Sequence, residues 1–552
     1  MAEIDGATLM AQSLKAQGVE HMFGIVGFPV HPIANACQRE GIKFYGMRNE
    51  QSASYAAQAA GYLLGRPQAC LVVSGPGVVH ALAGLANAWS NGWPMLLIGG
   101  ASDSFQDGMG AFQEAPQVEA ARLWSKHSMR VETVGRIPFH VETAVRKALY
   151  GRPGAAYIDM PNDIIVGKVE EEAISPIRRV PDPPRTQAPE GTVQEALALL
   201  KTAERPLVVV GKGMAWSRAE AEVQEFIEKT QLPFLPSPMG KGVIPDDHPL
   251  SVAPGRTYAL QNTDVVFLMG ARLNWIMHFG LPPRWAPDVK VIQLDIDGNE
   301  IGTNVPASVG LLGDGKAIVR QLNQALEQSP WQFSAENRWR SGLQNAVATN
   351  TNNTEPMLVS DDVPMGYYRV LREIRDALPH DAMLVSEGAS TMDISRQVIP
   401  NYLPRTRLDA GSFGTMGIGC GFAVAAAACH PERRIVDLEG DSAFGFSGME
   451  VETACRYNLP ITYIVVNNNG VGGGPSTTDH NPLTARAGAY TANARYEKIA
   501  EAFGGLGFFV ERPDEIRPAI DKAFASGKTA VINIMIDTRA QRRPQQFQWH
   551  TR

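Results

Sequence analysis

Residues 433–470 read "RRIVDLEGDSAFGFSGMEVETACRYNLPITYIVVNNNG". The runs "IVDL" (435–438) and "ITYIVV" (461–466) are apolar, rich in β-branched residues and of buried-strand length. Between them "GDSAFGFS" (440–447) reads as a tight turn into a helix over "GMEVETACRYN" (448–458). A strand–helix–strand unit of this size predicts a parallel strand pair whose ends open on one sheet edge, where such folds hold ligands. Asp441 follows the first strand and Asn468 follows the second, 27 residues on, so both are expected at one crevice. A carboxylate oxygen, an amide oxygen and a loop carbonyl suit Mg²⁺, which favours octahedral oxygen ligands. The backbone N–H groups near Ser442 and Ala443 would present about half a positive charge to an anion there. Taken singly, Asp441 also reads as an N-cap and "NNNG" as a turn; their order along one edge favours a binding site.

The same alternation extends along nearly the whole chain and predicts α/β domains built on parallel sheets. Runs such as "CLVVSGPG", "PMLLIGG" and "AAYIDMP" build a first domain over residues 1–168. A charged, proline-rich stretch at 170–191 reads as a surface linker. A second domain, 190–345, carries "PLVVVGKG", "VVFLMGARL" and "VKVIQLDID" as buried strands. The polar stretch "VATNTNNTEPMLVSDD" (347–362) is expected to separate it from a third domain at 365–538, followed by a tail at 539–552. Segments 77–100 and 448–470 both run from helix through Asn and Pro to a buried strand, which predicts like topology in the first and third domains.

Composition narrows the class. The chain has 552 residues, 44% hydrophobic and 19% charged, the profile of a globular enzyme with several domains. A net charge of -7 gives no general reason to bind nucleic acid or an anionic membrane. No apolar run approaches the roughly 20 residues of a membrane span, and the opening residues carry no basic leader pattern. Cys37, Cys70, Cys420, Cys429 and Cys455 form no CxxC pair and suit a reducing compartment, so a cytoplasmic location is expected.

With these motifs assembled, the chain resembles the thiamine diphosphate-dependent enzymes, whose GDG…NN signature matches Gly440–Asp441 and Asn467–Asn468 with Ser442 at the usual third glycine. The resemblance implies a pyrimidine-binding, a central and a pyrophosphate-binding domain, in that order. It assigns Asp441, Asn468 and the Gly470 carbonyl to Mg²⁺. Backbone groups of Ala389, Ser390, Ser442, Ala443 and Val471 would hold the diphosphate. Met416 would wedge beneath the bent cofactor, with the Gly414 carbonyl facing its exocyclic amine. Glu50, in "RNEQSASYAAQAAG", would share a proton with the aminopyrimidine N1′ across a dimer interface, and the small residues after it would let two subunits approach closely. Its bland alternative is a helix-start carboxylate favoured by the helix dipole.

Within that family the match is to the branch of 2-hydroxyacyl-CoA lyase and oxalyl-CoA decarboxylase. None of the 11 histidines adjoins another, unlike the histidine pair of pyruvate decarboxylase-like enzymes. Acetohydroxyacid synthases share the "AFQE" of 111–114, yet nothing here demands their FAD. Gln113–Glu114 stands where oxalyl-CoA decarboxylases have Tyr-Glu, which favours the lyases, with Gln113 and Glu114 as catalytic candidates. The resemblance points to Arg152, Lys212, Arg272 and Asp295 for the ADP portion of CoA, with free ADP a further candidate occupant. It implies a homodimer at minimum and a homotetramer as the expected assembly. The tail is either a frayed end or a lid carrying Phe547 and Trp549. The expected reaction is reversible cleavage of a 2-hydroxyacyl-CoA to formyl-CoA and an aldehyde or ketone. The rivals are oxalyl-CoA decarboxylation and a non-catalytic subunit, the latter disfavoured because Glu50 and the metal ligands are all present.

Overall fold

Three parallel sheets organise the computed structural model, which describes residues 3–475, 481 and 483–544. In the N-terminal domain the strands His21–Gly24, Lys43–Gly46, Gln68–Val72, Met95–Ala101, His127–Arg130 and Ala155–Pro161 pair in the spatial order 2-1-3-4-6-5. The C-terminal domain repeats that order with Met383–Ser386, Arg407–Asp409, Ile435–Gly440, Ile461–Asn467, Leu506–Val510 and Ala530–Met535. The echo between segments 77–100 and 448–470 therefore marks two domains of one topology. The central sheet has the order 2-1-3-4-5 and runs from Pro206–Val210 to Ala307–Leu312. Strand interiors such as "VVFLM" are buried on both faces, so they read as continuous apolar runs.

One apolar cluster runs through the first and third domains without a break. Its spine is a pair of small-residue helices, Glu50–Leu64 and Gly419–Cys429, which lie directly against each other. A Cβ on Gly421 would stand 2.7 Å from the Ser52 carbonyl, so the backbones meet at van der Waals distance. Tyr62 stacks on Trp93 at 4.6 Å, and Trp93 meets Phe422 at 5.4 Å across the seam. The small residues after Glu50 thus pack two domains of a single chain, where the sequence suggested two subunits.

One further expectation is corrected, and one segment takes a form that the sequence reading did not give it. Most of residues 347–362, between the second and third domains, continue the helix Arg338–Leu358. Asn337 caps its start, Trp339 and Leu343 anchor it, and Thr351 and Thr354 return their hydroxyls to carbonyls four residues back. The turn expected over 440–447 is itself a helix, Asp441–Ser447, beginning immediately at the strand end. A second short helix, Glu450–Arg456, follows it.

Candidate active site

The strands Ile435–Gly440 and Ile461–Asn467 are parallel neighbours, with Gly440 opposite Val466. That register brings Asp441 beside Asn468, as the spacing predicts. Asp441 is 2% exposed, its Oδ1 accepts from the Ser442 N–H at 2.8 Å and its Oδ2 from the Gly470 N–H at 2.7 Å. Burial raises its pKa to about 6 against those donors. One terminal atom of the Asn468 amide lies 3.0 Å from Tyr367 Oη and 3.1 Å from the Gly473 N–H, and the other points inward. The inward atom lies 3.2 Å from Asp441 Oδ1 and 2.7 Å from the Gly470 carbonyl oxygen. With the amide oxygen inward, the three oxygens would repel one another unless a cation lay between them. Ligand oxygens about 2.1 Å from Mg²⁺ are separated by about 3 Å along an octahedral edge. Turned over, the amide would instead donate to both oxygens. The donor set fits Mg²⁺ in chemistry and in spacing.

Two helix N-termini converge above this triad. Helix Ala389–Val398 starts after Gly388, whose φ of +90° and absent Cβ let it approach the Gly440 nitrogen, 3.2 Å from where a Cβ would sit. Helix Asp441–Ser447 starts on the adjacent strand. Backbone N–H groups of Ala389, Ser390 and Ala443 thus open on one edge, an arrangement suited to a diphosphate, while that of Ser442 is taken by Asp441 Oδ1. Val471 behaves differently. Its N–H donates to the Gly488 carbonyl at 2.8 Å, and its own carbonyl accepts from Arg486.

The loop bearing Gly414 and Met416 leads into helix Gly419–Cys429. Gly414 is exposed with φ of +66°, and Met416 is half-buried. Thr415 accepts from Asn87 at 2.7 Å, and the buried Glu387 carboxylate accepts from the Gly417 and Gly419 N–H groups. Glu387 therefore sets the loop that presents Met416, a role that the sequence reading missed. Asp437 and Glu439, alternate residues of one strand, face the same interior, and burial pushes all three acids above the usual carboxylate range.

Glu50 begins its helix, as expected, with Asn49 Oδ1 capping the Gln51 N–H at 2.7 Å. Its Oε2 lies 3.2 Å from His80 Nδ1, a partner that the sequence reading did not single out. Gln113 adopts φ of +57° and accepts from the Ser74 hydroxyl at 3.0 Å. Glu114 is exposed and takes the N–H groups of Gly108, Gly110 and Ala111, which hold its pKa below the ordinary value. In this arrangement its carboxylate ties a loop.

Arg152, Lys212, Arg272 and Asp295 come together where the three domains meet. Arg152 and Arg272 each donate to the Ser90 carbonyl at 3.0 Å, and Lys212 donates to the Asn91 carbonyl at 2.5 Å. These cations cover the negative C-terminal end of helix Pro76–Asn91. Glu300 lies within 3.0 Å of Arg152 and 3.5 Å of Arg272. Burial drives the Lys212 pKa well down, and raises that of Asp295 to about 6. In the tail, Arg543 donates its N–H to Tyr368 Oη at 3.1 Å, and Arg542 pairs with Asp393. Phe547 and Trp549 lie outside the described residues.

Comparison with known proteins now decides the family. Residues 4–120 match the thiamine pyrophosphate enzyme N-terminal TPP binding domain, 193–322 the central domain and 387–534 the C-terminal TPP binding domain. This chain belongs to the thiamine pyrophosphate enzymes. It is 49% identical to human 2-hydroxyacyl-CoA lyase 1, over 100% of this chain and 97% of that protein. It is 44% identical to the 2-hydroxyacyl-CoA lyase of Arabidopsis thaliana, over 97% of this chain and 96% of the relative. Oxalyl-CoA decarboxylase from Escherichia coli K12 is 40% identical, over 97% and 95% of the two chains. As a thiamine pyrophosphate enzyme, the chain places its two TPP binding domains on the paired sheets of like topology.

Proposed function

We propose that this chain is a thiamine diphosphate- and Mg²⁺-dependent carbon–carbon lyase. It cleaves a 2-hydroxyacyl-CoA reversibly into formyl-CoA and an aldehyde or ketone. The observation that carries the cofactor half is the meeting of the Asp441 carboxylate, the Asn468 amide and the Gly470 carbonyl beneath two helix N-termini. The substrate half is supported by the lyases among its relatives and by Gln113 at the position where the decarboxylases carry Tyr.

When bound, thiamine diphosphate supplies a ring carbon that attacks carbonyl groups and a cationic ring that accepts the electron pair released on C–C cleavage. Asp441, Asn468 and the Gly470 carbonyl hold the metal. N–H groups of Ala389, Ser390 and Ala443 hold the diphosphate. Glu50 exchanges a proton with the aminopyrimidine nitrogen, a contribution of roughly 10² to 10⁴ in rate. Met416 and the Gly414 carbonyl shape the ring pocket. With its oxygen engaged by Ser74, Gln113 is left to donate its NH₂ to the substrate hydroxyl or carbonyl oxygen. Arg152, Lys212, Arg272 and Asp295 recognise the ADP portion of CoA, cations meeting phosphates and the carboxylate meeting ribose.

The assembly is a homodimer in which Glu50 serves the partner's cofactor, paired further into a homotetramer. Exposed Phe446 and Met449 beside the diphosphate-binding segment, and exposed Val79 beside His80, support burial of this face by a second copy. The five free cysteines support a cytoplasmic location. No helix among the described residues is long and apolar enough to cross a membrane.

The test incubates the protein with thiamine diphosphate, Mg²⁺ and a series of 2-hydroxyacyl-CoA thioesters, with products identified by mass spectrometry. Formyl-CoA together with the shortened carbonyl compound is expected. Its absence across chain lengths, with CO₂ released from oxalyl-CoA, would replace this assignment by the decarboxylase reading.

A further inference from the structure

The segment leading into Glu50 is gripped from the opposite domain. Glu450 is 1% exposed, and its Oε1 accepts from the Arg48 N–H at 3.0 Å and the Asn49 N–H at 3.1 Å. Its Oε2 accepts from the Thr453 hydroxyl at 2.7 Å. The same short helix supplies Arg456, which donates to the Gly46 carbonyl at 2.6 Å, and is followed by Tyr457, whose hydroxyl accepts from the Gly46 N–H at 2.8 Å. Apart from the Thr453 bond, all of these fall on residues 46–49, the link between the strand Lys43–Gly46 and the helix that Glu50 begins.

The backbone of that link has few other partners. Arg48 and Asn49 are orphan donors at a helix start, and Glu450 satisfies both with a single carboxylate. Were the acceptor removed, two N–H groups beside the catalytic glutamate would lose it, and the link would relax to find others. Glu50 lies one residue beyond Asn49, so its carboxylate would move with the link. Glu450 itself follows Asp441 by nine residues on the same segment of chain.

We propose that Glu450 is a positioning residue for Glu50, setting the link at residues 46–49 so that the Glu50 carboxylate meets the cofactor's aminopyrimidine. This rests on the proton-exchange role of Glu50 given above. Displacement of a catalytic group by about 1 Å can cost about 10² in rate, and that sets the scale of the effect.

Three readouts test it in Glu450→Ala. Backbone amide exchange in the cofactor-free protein should speed up over residues 47–51. In the holoenzyme, exchange of the thiazolium C2 proton with deuterium should slow by about 10- to 100-fold. The turnover number should fall in parallel while KM for the acyl-CoA stays within about 3-fold. Glu450→Gln should recover all three to within a few-fold, because an amide oxygen accepts the same two N–H groups and its NH₂ can donate to Thr453. Should Glu450→Ala fail to fold, Thr453→Val removes the bond that orients Oε2 and should shift the same readouts in the same direction by a smaller factor. Wild-type C2 exchange in a folded Glu450→Ala, or in Thr453→Val if the alanine variant does not fold, while Glu50→Gln has lost exchange, would overturn the proposal. Wild-type C2 exchange in Glu50→Gln would instead remove the role of Glu50 on which it stands.

Discussion

Replacing Asp437 by Asn probes the buried acids at the domain seam. Both carboxylate oxygens of Asp437 lack a hydrogen-bond donor among the described residues, as does Glu439 Oε2. Gly419 leaves the room for this meeting, since a Cβ there would stand 2.2 Å from Glu439 Oε1 and 3.0 Å from Asp437 Oδ1. The groups facing Asp437 are Glu439, Glu387 and Cys420, with no cation among them. Burial raises the Asp437 pKa from 3.8 to about 8, so the neutral acid is the folded form, with Glu439 the donor between the two. A raised carboxyl pKa contributes stability that is complete below about pH 4 and lost as pH climbs to 8. A shift of that size corresponds to roughly 6 kcal/mol. Glu387 and Glu439 titrate in the same interior, so one substitution recovers only part, about 2 kcal/mol. Asn resembles the protonated acid and cannot ionise. The assay is thermal unfolding of wild type and Asp437→Asn at pH 5 and pH 8.5. Similar Tm values are expected at pH 5, with the variant a few degrees higher at pH 8.5. If the variant matches or falls below wild type at pH 8.5 after matching it at pH 5, the acid is not held neutral and the reasoning fails.

Three further outcomes follow from the geometry. Asp441→Ala removes one oxygen of the triad, and calorimetry should show thiamine diphosphate affinity in Mg²⁺ reduced by more than about 100-fold, with Tm of the cofactor-free protein little changed. Arg272→Met should raise KM for the acyl-CoA by about 10-fold or more, the loss of one charge-assisted bond; a lower Tm with KM unchanged would restrict Arg272 to bracing the Ser90 carbonyl. Gly421→Val forces a side chain against the Ser52 carbonyl at the seam, and chemical denaturation should show a loss of about 1–3 kcal/mol.

Much of the site was legible because it follows from chain order on a parallel sheet. Asp441 and Asn468 each end a strand, and neighbouring parallel strands present their ends on one edge whatever lies elsewhere. Glu50 at a helix start and the two like domains were readable for the same local reason. His80, Glu387 and Glu450 were not. Each acts on a residue distant in sequence, Glu450 on Arg48 some 402 positions away, and no periodicity or spacing encodes such a meeting. The small residues of Glu50–Leu64 were recognised as a close-packing face, but their partner was assigned to another subunit because a sequence does not say which surface fills a groove.

What the chain alone determined was where the candidate groups fall: Asp441 and Asn468 just past two strand ends, a glycine before a helix start and a carboxylate ahead of a helix of small residues. Local propensity and hydrophobic period are properties of neighbouring residues, so they survive in one dimension. Only the tertiary structure decided how the domains lock together. It showed the helix Glu450–Arg456 gripping the approach to Glu50, Glu387 holding the Met416 loop, and Arg152, Lys212 and Arg272 gathered on one helix end. Those contacts come from burying two helices and a helix terminus against one another, and burial is a property of the folded whole.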